Sequence, residues 1–160
     1  MRSLITLTAW AIVGWSTGEA EPHPTVIHHT VYDGYFVSNE FEPNIPASFV
    51  VLQDQAAFDR IFGVAAVMFD RSHRLQAKAF RSNMVIAVVH RDRANITYRN
   101  VLVTRDGTIL RVNYTTKEQR SPLTEYASPL ILSVPRDTYS AVSFIENDKT
   151  VKSLPLITAN

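Results

Sequence analysis

The chain contains no cysteine among its 160 residues. A protein without thiols forms no disulfide and carries no lipid on an N-terminal cysteine, so its fold rests on a noncovalent core. Glycine is scarce as well, and only Gly34, Gly63 and Gly107 lie beyond the first twenty residues. Three isolated glycines cannot build the glycine-rich loop that cradles a nucleotide phosphate. These absences exclude disulfide scaffolds and phosphate-binding enzymes with such loops.

An excess of charge of one sign is also missing, because the formal net charge is +1. A near-neutral balance argues against electrostatic capture of nucleic acid or of an anionic membrane as the main activity. Beyond residue 20 no apolar run approaches the ~20 residues that a membrane-spanning helix needs. We therefore expect no nucleic-acid partner and no membrane span in the mature protein.

The first twenty residues have the three-part pattern of a secretory signal peptide. Arg2 supplies the positive charge, residues 4–15 form an apolar run, and Gly18 and Ala20 are small residues before the cleavage point. The run is shorter than the ~20 residues of a spanning helix, which favours a cleaved peptide over a membrane anchor. We predict a signal peptide at residues 1–20, cleavage after Ala20, and a secreted or periplasmic product.

The chain that remains after this cleavage is long enough for one domain with a sizeable core. Residues 21–25 contain two prolines and are expected to form a flexible N-terminal segment. Residues 26–160 contain no internal repeat and no low-complexity tract. We predict that they fold as a single globular domain.

One helix is marked by its cap and its apolar stripe. Asp54 is a favoured N-cap residue, Phe58, Ile61 and Phe62 follow at helical spacing, and Gly63 is a typical stop signal. We predict one principal helix at about residues 54–62.

The remaining pattern is β. Residues 26–38 are rich in β-branched and aromatic residues and predict a strand bent at Gly34. The apolar run at residues 84–89 is typical of a central strand covered on both faces. Asp106-Gly107 predicts a hairpin, and Asn147-Asp148 predicts a closing one. We predict an α+β domain with a mostly antiparallel sheet, or an open β-sandwich or barrel, of roughly six to eight strands.

Two adjacent histidines, His28 and His29, raise the question of a metal site. Successive residues of a regular strand point to opposite faces, so both cannot bind one ion from such a strand. We interpret them as surface or edge residues and assign no metal site and no cofactor. A secreted metal-dependent or hydrolytic enzyme is the alternative; it would use His28 or His29 with Asp33, and His23 could join through a flexible excursion.

Other chemistry has no local motif. The chain lacks the Gly-x-Ser-x-Gly elbow of a serine hydrolase, and no local motif pairs a serine with a base. Triads assemble in space, so His73 or His90 with a distant serine and aspartate remains an alternative. A small-ligand carrier with a pocket between sheet and helix is a further hypothesis.

Arginines are crowded into the middle of the chain, where a solvated sheet face is the ordinary explanation. Residues 64–82 are irregular and charged, and their conformation is left open by the pattern; such segments often carry binding functions. The leading hypothesis is a non-catalytic exported domain that binds another exported or envelope protein. Its candidate interaction surface contains Arg71, Arg74, Arg91 and Arg93.

A family resemblance rests on the strand Phe49-Val50-Val51-Leu52, the helix with Phe58 and Phe62, and a strand of the form Phe-x-x-x-Met-Val-hydrophobic-Ala-Val beginning at Phe80. This order, followed by a β-meander that closes at residues 142–147, resembles the C-terminal domain of the protease complex subunit PrcB family. The resemblance covers about residues 48–147 and consists mainly of hydrophobic patterns.

One segment departs from that family. The family tends to follow the central strand with a glycine-rich turn and an aromatic residue, whereas residues 90–95 here are charged and contain no glycine. The resemblance implies a small, non-catalytic exported domain that contacts another protein, and it supplies no catalytic residues.

Overall fold

The computed structural model describes residues 23–65, 74–120 and 124–156. The predicted signal peptide at residues 1–20 therefore lies outside the described residues, and so do His73 and Arg71. Thr25, placed by the sequence in a flexible segment, already pairs with Arg105 in the first strand. None of the helices in the described ranges is long and apolar enough to cross a membrane.

The described residues form an α+β structure with eleven strands and one α-helix. The expectation of one helix is confirmed, whereas the count of roughly six to eight strands was wrong. The elements are β1 (Thr25–Val26), β2 (Thr30–Tyr32), β3 (Tyr35–Val37), β4 (Ala47–Leu52), α1 (Gln55–Ile61), β5 (Phe62–Val64), β6 (Asn83–Asp92), β7 (Ala94–Asp106), β8 (Ile109–Arg120), β9 (Tyr126–Pro135), β10 (Ala141–Glu146) and β11 (Lys149–Pro155), with a 3₁₀ turn at Ala79–Arg81.

The strands form three sheets. A five-stranded sheet has the order β1-β7-β8-β10-β11, a four-stranded sheet has the order β2-β9-β6-β4, and β3 pairs with β5. Pairing is antiparallel except between β8 and β10, which run parallel. The two larger sheets pack face to face as an open sandwich, and the described strands do not close into a barrel.

Strand β6 is an inner strand of the four-stranded sheet, and both of its faces are buried. Met84, Ile86 and Val88 pack between the two larger sheets. Val85 and Val89 point the other way and pack against α1 and the β3–β5 pair. A strand with two buried faces needs an unbroken apolar run, so the prediction for residues 84–89 is confirmed.

Helix α1 forms as the sequence predicts at its start. The Asp54 carboxylate accepts a hydrogen bond from the Ala57 amide at 2.7 Å, which satisfies one of the unpaired donors of the first turn. Phe58, Ile61 and Phe62 are all buried against the four-stranded sheet. The stripe of apolar residues therefore holds the helix on the sheet.

The role predicted for Gly63 was wrong, because the chain passes from α1 directly into β5. Phe62 caps the helix in an extended conformation, and Gly63 pairs with Phe36 across the β3–β5 ladder. A Cβ on Gly63 would lie 2.2 Å from the Phe36 ring. Glycine is thus required there by an aromatic ring that lies over the backbone.

The predicted strand at residues 26–38 is divided among all three sheets. β1 joins the five-stranded sheet, β2 the four-stranded sheet, and β3 pairs with β5. The bend at Gly34 is confirmed, but the chain also leaves the ladder at residues 27–29. The short strands β1, β2 and β3 replace one predicted strand, and they account for most of the strands beyond the predicted number.

Both predicted hairpins are confirmed. Gly107 has a φ of +58°, and Asp106 pairs with Ile109, so the loop has the two residues Gly107 and Thr108. Asn147 and Asp148 adopt φ values of 48° and 65° between β10 and β11. The Asp106-Gly107 hairpin is long, because β8 continues to Arg120.

Candidate functional site

The most distinctive polar cluster lies at one end of the sandwich. β10 pairs with β8 only as far as Tyr114, so the far half of the β7–β8 ribbon extends beyond β10. This ribbon contacts the four-stranded sheet, since the Ile96 amide donates to Ser128 Oγ of β9 at 3.0 Å. The two large sheets meet there through side chains rather than through a ladder.

His90, near the end of β6, is the centre of this cluster. Its Nε2 lies 3.3 Å from Glu146 Oε2, on β10 of the opposite sheet. Its Nδ1 lies 3.1 Å from the hydroxyl of Tyr98, on β7. The His90 and Tyr98 rings stack with an interplanar angle of 9°. Both ring nitrogens are therefore engaged.

Tyr98 also contacts β9, the strand next to β6 in the four-stranded sheet. Its hydroxyl donates to the Ser128 carbonyl at 2.8 Å. Burial of Tyr98 raises the pKa of its phenol well above the ordinary value. The hydroxyl therefore keeps its proton and acts as a donor in this network.

Glu146 also accepts hydrogen bonds from two side chains of β8. The Tyr114 hydroxyl donates to its Oε2 at 3.1 Å, and the Thr116 hydroxyl donates to its Oε1 at 3.2 Å. Burial raises the pKa of Tyr114 strongly, and the Glu146 charge raises that pKa further. The Asn147 side chain adds a donor to Thr116 Oγ1 and an acceptor for the Thr116 amide.

A cavity of about 210 Å³ opens beside this cluster. His90 and Glu146 line it together with Ile96, Thr116 and the charged residues at its rim, among them Glu118. The side chains of His90 and Glu146 are 15% and 21% exposed, so the pair is mostly withdrawn from water.

A larger groove of about 510 Å³ shares Pro46, Arg91 and Asp92 with that cavity. We call it the end groove. Its lining residues are Asn39, residues 43–46, residues 91–93 and residues 125–127. The lining combines prolines, an isoleucine and a tyrosine with charges of both signs.

Arg91 fixes one wall of the end groove. Its guanidinium donates to the Ser38 carbonyl at 3.0 Å and to the Phe41 carbonyl at 2.7 Å. Its amide donates to the Pro46 carbonyl at 2.8 Å. The loop at residues 38–46 is thereby held against β6, and the prolines within it restrict it further.

A third hollow, of about 560 Å³, lies beside α1 and is lined in part by Glu40 and Phe41 of this loop. Phe41, Leu52 and Ile61 give it apolar walls, and Glu40 and Arg60 add charges. Beneath α1 itself the space is filled by Phe58 and the side chains of β6. The loop at residues 38–46 thus contributes to the walls of two concave surfaces.

The histidines singled out by the sequence lie elsewhere. His28 is exposed, and His29 Nδ1 lies 3.3 Å from the Ile27 carbonyl. The strand geometry assumed for both was wrong, because residues 27–29 connect two sheets outside any ladder. His23 and Asp33 are exposed as well. Within the described ranges no three His, Asp or Glu side chains converge as metal ligands.

Of the four arginines in the predicted interaction surface, the end groove brings two together. Arg91 and Arg93 both line it, and Arg93 is exposed. Arg74 is half-buried and is not among the lining residues. Arg71 lies outside the described residues.

The contacts of the His90 ring bear on the alternative of a serine triad. A general base needs a ring nitrogen that faces the nucleophile. Both nitrogens of His90 face Tyr98 and Glu146 instead. Within the described residues, neither ring nitrogen of His90 therefore has a serine hydroxyl as its partner.

No family model matches the chain, and no curated protein and no solved structure matches it. The resemblance to the PrcB family over residues 48–147 therefore stays a prediction.

Proposed function

We propose that this chain is an exported, non-catalytic binding domain whose end groove contacts another exported or envelope protein. The observation that carries the proposal is the clamp by which Arg91 holds the loop at residues 38–46 beside the groove. A wall that is already fixed loses little conformational entropy on binding, so more of the contact energy becomes affinity.

The composition of the groove supports a protein partner. Ile45 is 45% exposed on the fixed loop and offers an apolar contact. Tyr126 stands on the opposite wall, and tyrosine is enriched in protein interfaces. Arg93 and Glu125 place charges of both signs beside these residues, as in the polar rim of an interface.

The shape of the groove also favours a protein over a small molecule. Small-ligand sites bury most of the ligand surface in an enclosed pocket. The end groove is partly open to solvent, and Pro46, Arg91 and Asp92 line both this groove and the smaller cavity. An extended segment or a loop of a partner protein fits such a groove better than a small molecule does.

Charge reversal within the groove tests the proposal. The tagged protein is expressed in its own host as wild type, as Arg93→Glu and as Lys152→Glu, and co-purifying proteins are quantified. Lys152 is an exposed residue of β11 and is not among the residues that line the groove, so it provides the control. We expect one recurring partner with wild type and Lys152→Glu, and a reduction of about tenfold, equivalent to 1.4 kcal/mol, with Arg93→Glu. Equal recovery of that partner with all three proteins would contradict the assignment of the groove.

A small-ligand carrier is the second candidate, and the 560 Å³ hollow beside α1 favours it. Phe41, Leu52 and Ile61 provide apolar walls for a ligand there. Native mass spectrometry of the protein purified from its host tests this candidate. A bound mass that disappears in Leu52→Glu would support a carrier, and an unliganded species would favour the groove.

A further inference from the structure

The two larger sheets of the described residues end in four edge strands, and three of these are short or guarded. β1 has two residues and β2 has three, which leaves little backbone for another strand to pair with. β11 is longer, but Val151 has no opposite residue on β10, so the strand contains a bulge. It also carries Lys149, Lys152 and Pro155. Bulges, lysines and prolines are features that keep edge strands from pairing with other chains.

The fourth edge strand, β4, has none of these features. It keeps one register with β6 over its whole length. Residues 43–53 contain no charged side chain, and the strand itself contains no proline. Its central residues Phe49, Val50 and Val51 are only partly buried. A straight, uncharged and partly exposed edge is the kind that pairs with another strand.

The backbone of β4 shows which of its groups point away from β6. The Arg91 amide donates to the Pro46 carbonyl, and bonded and non-bonded pairs alternate along an antiparallel ladder. The amides and carbonyls of Ala47, Phe49 and Val51 therefore face outward. No group of the described residues forms a hydrogen bond with them. They form a row of donors and acceptors along the edge.

We propose that this edge pairs with the same edge of a second copy of the chain, antiparallel and with Phe49 on the two-fold axis. Phe49 then faces Phe49 of the second copy, and Ala47 faces Val51 on either side. These are the positions with outward backbone groups, and each such pair exchanges two hydrogen bonds. Every outward donor of β4 is matched to an acceptor, because the pattern is symmetric about its centre.

The side chains favour a second copy of this chain over a charged partner. In this register residues 45–53 of the two copies lie opposite each other, so no charges meet along the paired edges. The two Phe49 rings are neighbours on the face where Phe49 already contacts Phe144, at 4.9 Å between ring centroids. Cross-strand aromatic pairs stabilise antiparallel sheets. The formal net charge of +1 also leaves little repulsion between two copies.

Analytical ultracentrifugation of the protein as its host produces it tests the pairing. Two strands of six residues bury a small area, so we expect a reversible dimer that dissociates on dilution. Val51→Pro removes an outward donor from each copy without changing the β4–β6 ladder, and it should raise the dissociation constant by about tenfold or more. Ser153→Pro is the matched control, because Ser153 also faces outward on β11, and it should leave the constant unchanged. A monomer at all concentrations up to about 1 mM, or equal constants for both variants, would overturn the inference.

Single cysteines test the register, because the chain has none of its own. Phe49→Cys places the two thiols opposite each other, with Cα atoms about 5.5 Å apart, which is within the range of a disulfide. Ala47→Cys places them about 14 Å apart along the strands, beyond that range. On mild oxidation we expect a disulfide-linked dimer from position 49 and not from position 47. Equal linkage at both positions, or none at position 49, would contradict the pairing even if Val51→Pro fails to fold.

Discussion

At the scale of single residues, the side chains at the end of the sandwich come from strands far apart in the chain. His90 meets Tyr98 from the next strand and Glu146 from the penultimate one. Neither partner lies within a sequence motif. In the sequence, Glu146 resembles any carboxylate at the end of a strand. The approach of Arg91 to the loop at residues 38–46 depends equally on long-range strand pairing. The sequence could therefore suggest Arg91 and Arg93 as residues of an interaction surface. It could not predict the end groove that both residues line, or the cluster around His90.

The cap of α1 is a residue-scale feature that could be read directly. Replacing Asp54 by alanine removes the acceptor of the Ala57 amide. We expect a loss of about 1 kcal/mol in the free energy of unfolding, measured by urea denaturation. Asp59→Ala in the same helix removes only a side-chain contact to Gln55 and should cost under about 0.5 kcal/mol. Equal losses for both variants would contradict the capping role.

At the scale of elements, the predictions that depend on residues close together in the chain were confirmed. The helix, the apolar β6 run and both hairpins depend on capping, periodicity and turn residues that lie next to each other in the chain. The division of residues 26–38 among three sheets depends on partners such as Thr104 and Ser133, which are distant in sequence. The parallel pairing of β10 with β8 has no local signature either. The number and arrangement of strands were accordingly missed.

Two leucines of neighbouring strands test which face of the β7–β8 pair is buried. Leu110 is 0% exposed between the two large sheets, whereas Leu102 is 42% exposed. Leu110→Ala should destabilise the protein by about 2–5 kcal/mol because it leaves a cavity in a packed core. Leu102→Ala should cost less than about 1 kcal/mol. Denaturant unfolding measures both, and similar values would contradict the described packing.

At the scale of the whole molecule, the fold is a sandwich whose two large sheets share a core, with a helix and a small sheet on the outer side of one of them. The amino-acid pattern predicted the α+β class of this architecture, and an open sandwich was one of the sheet arrangements that it left open. It could not predict that the sandwich end would be closed by buried polar groups, because tyrosines on strands ordinarily read as core residues. The same tyrosines make the stability of the molecule depend on pH at the alkaline side.

The buried phenols predict how stability falls in alkali. Burial raises the pKa of Tyr98 and of Tyr114 above the ordinary 10.0. Above about pH 10 the unfolded chain ionises first, so it binds fewer protons than the folded chain and the free energy of unfolding decreases as pH rises. Below that pH the contribution is fully present. Urea denaturation at pH 8 and pH 11 should therefore show a smaller alkaline loss in Tyr114→Phe than in wild type, and an equal loss would contradict the burial of this phenol.

Photo-cross-linking from the end groove tests whether a partner protein binds there. A photoreactive amino acid replaces Ile45 in the groove or, as the matched control, Val151 on β11; both side chains are 45% exposed. The two proteins are irradiated in the export compartment of the host. We expect a cross-link from position 45 to one recurring protein, and little or none of that product from position 151. Equal products from both positions, or none from position 45, would contradict binding at the end groove.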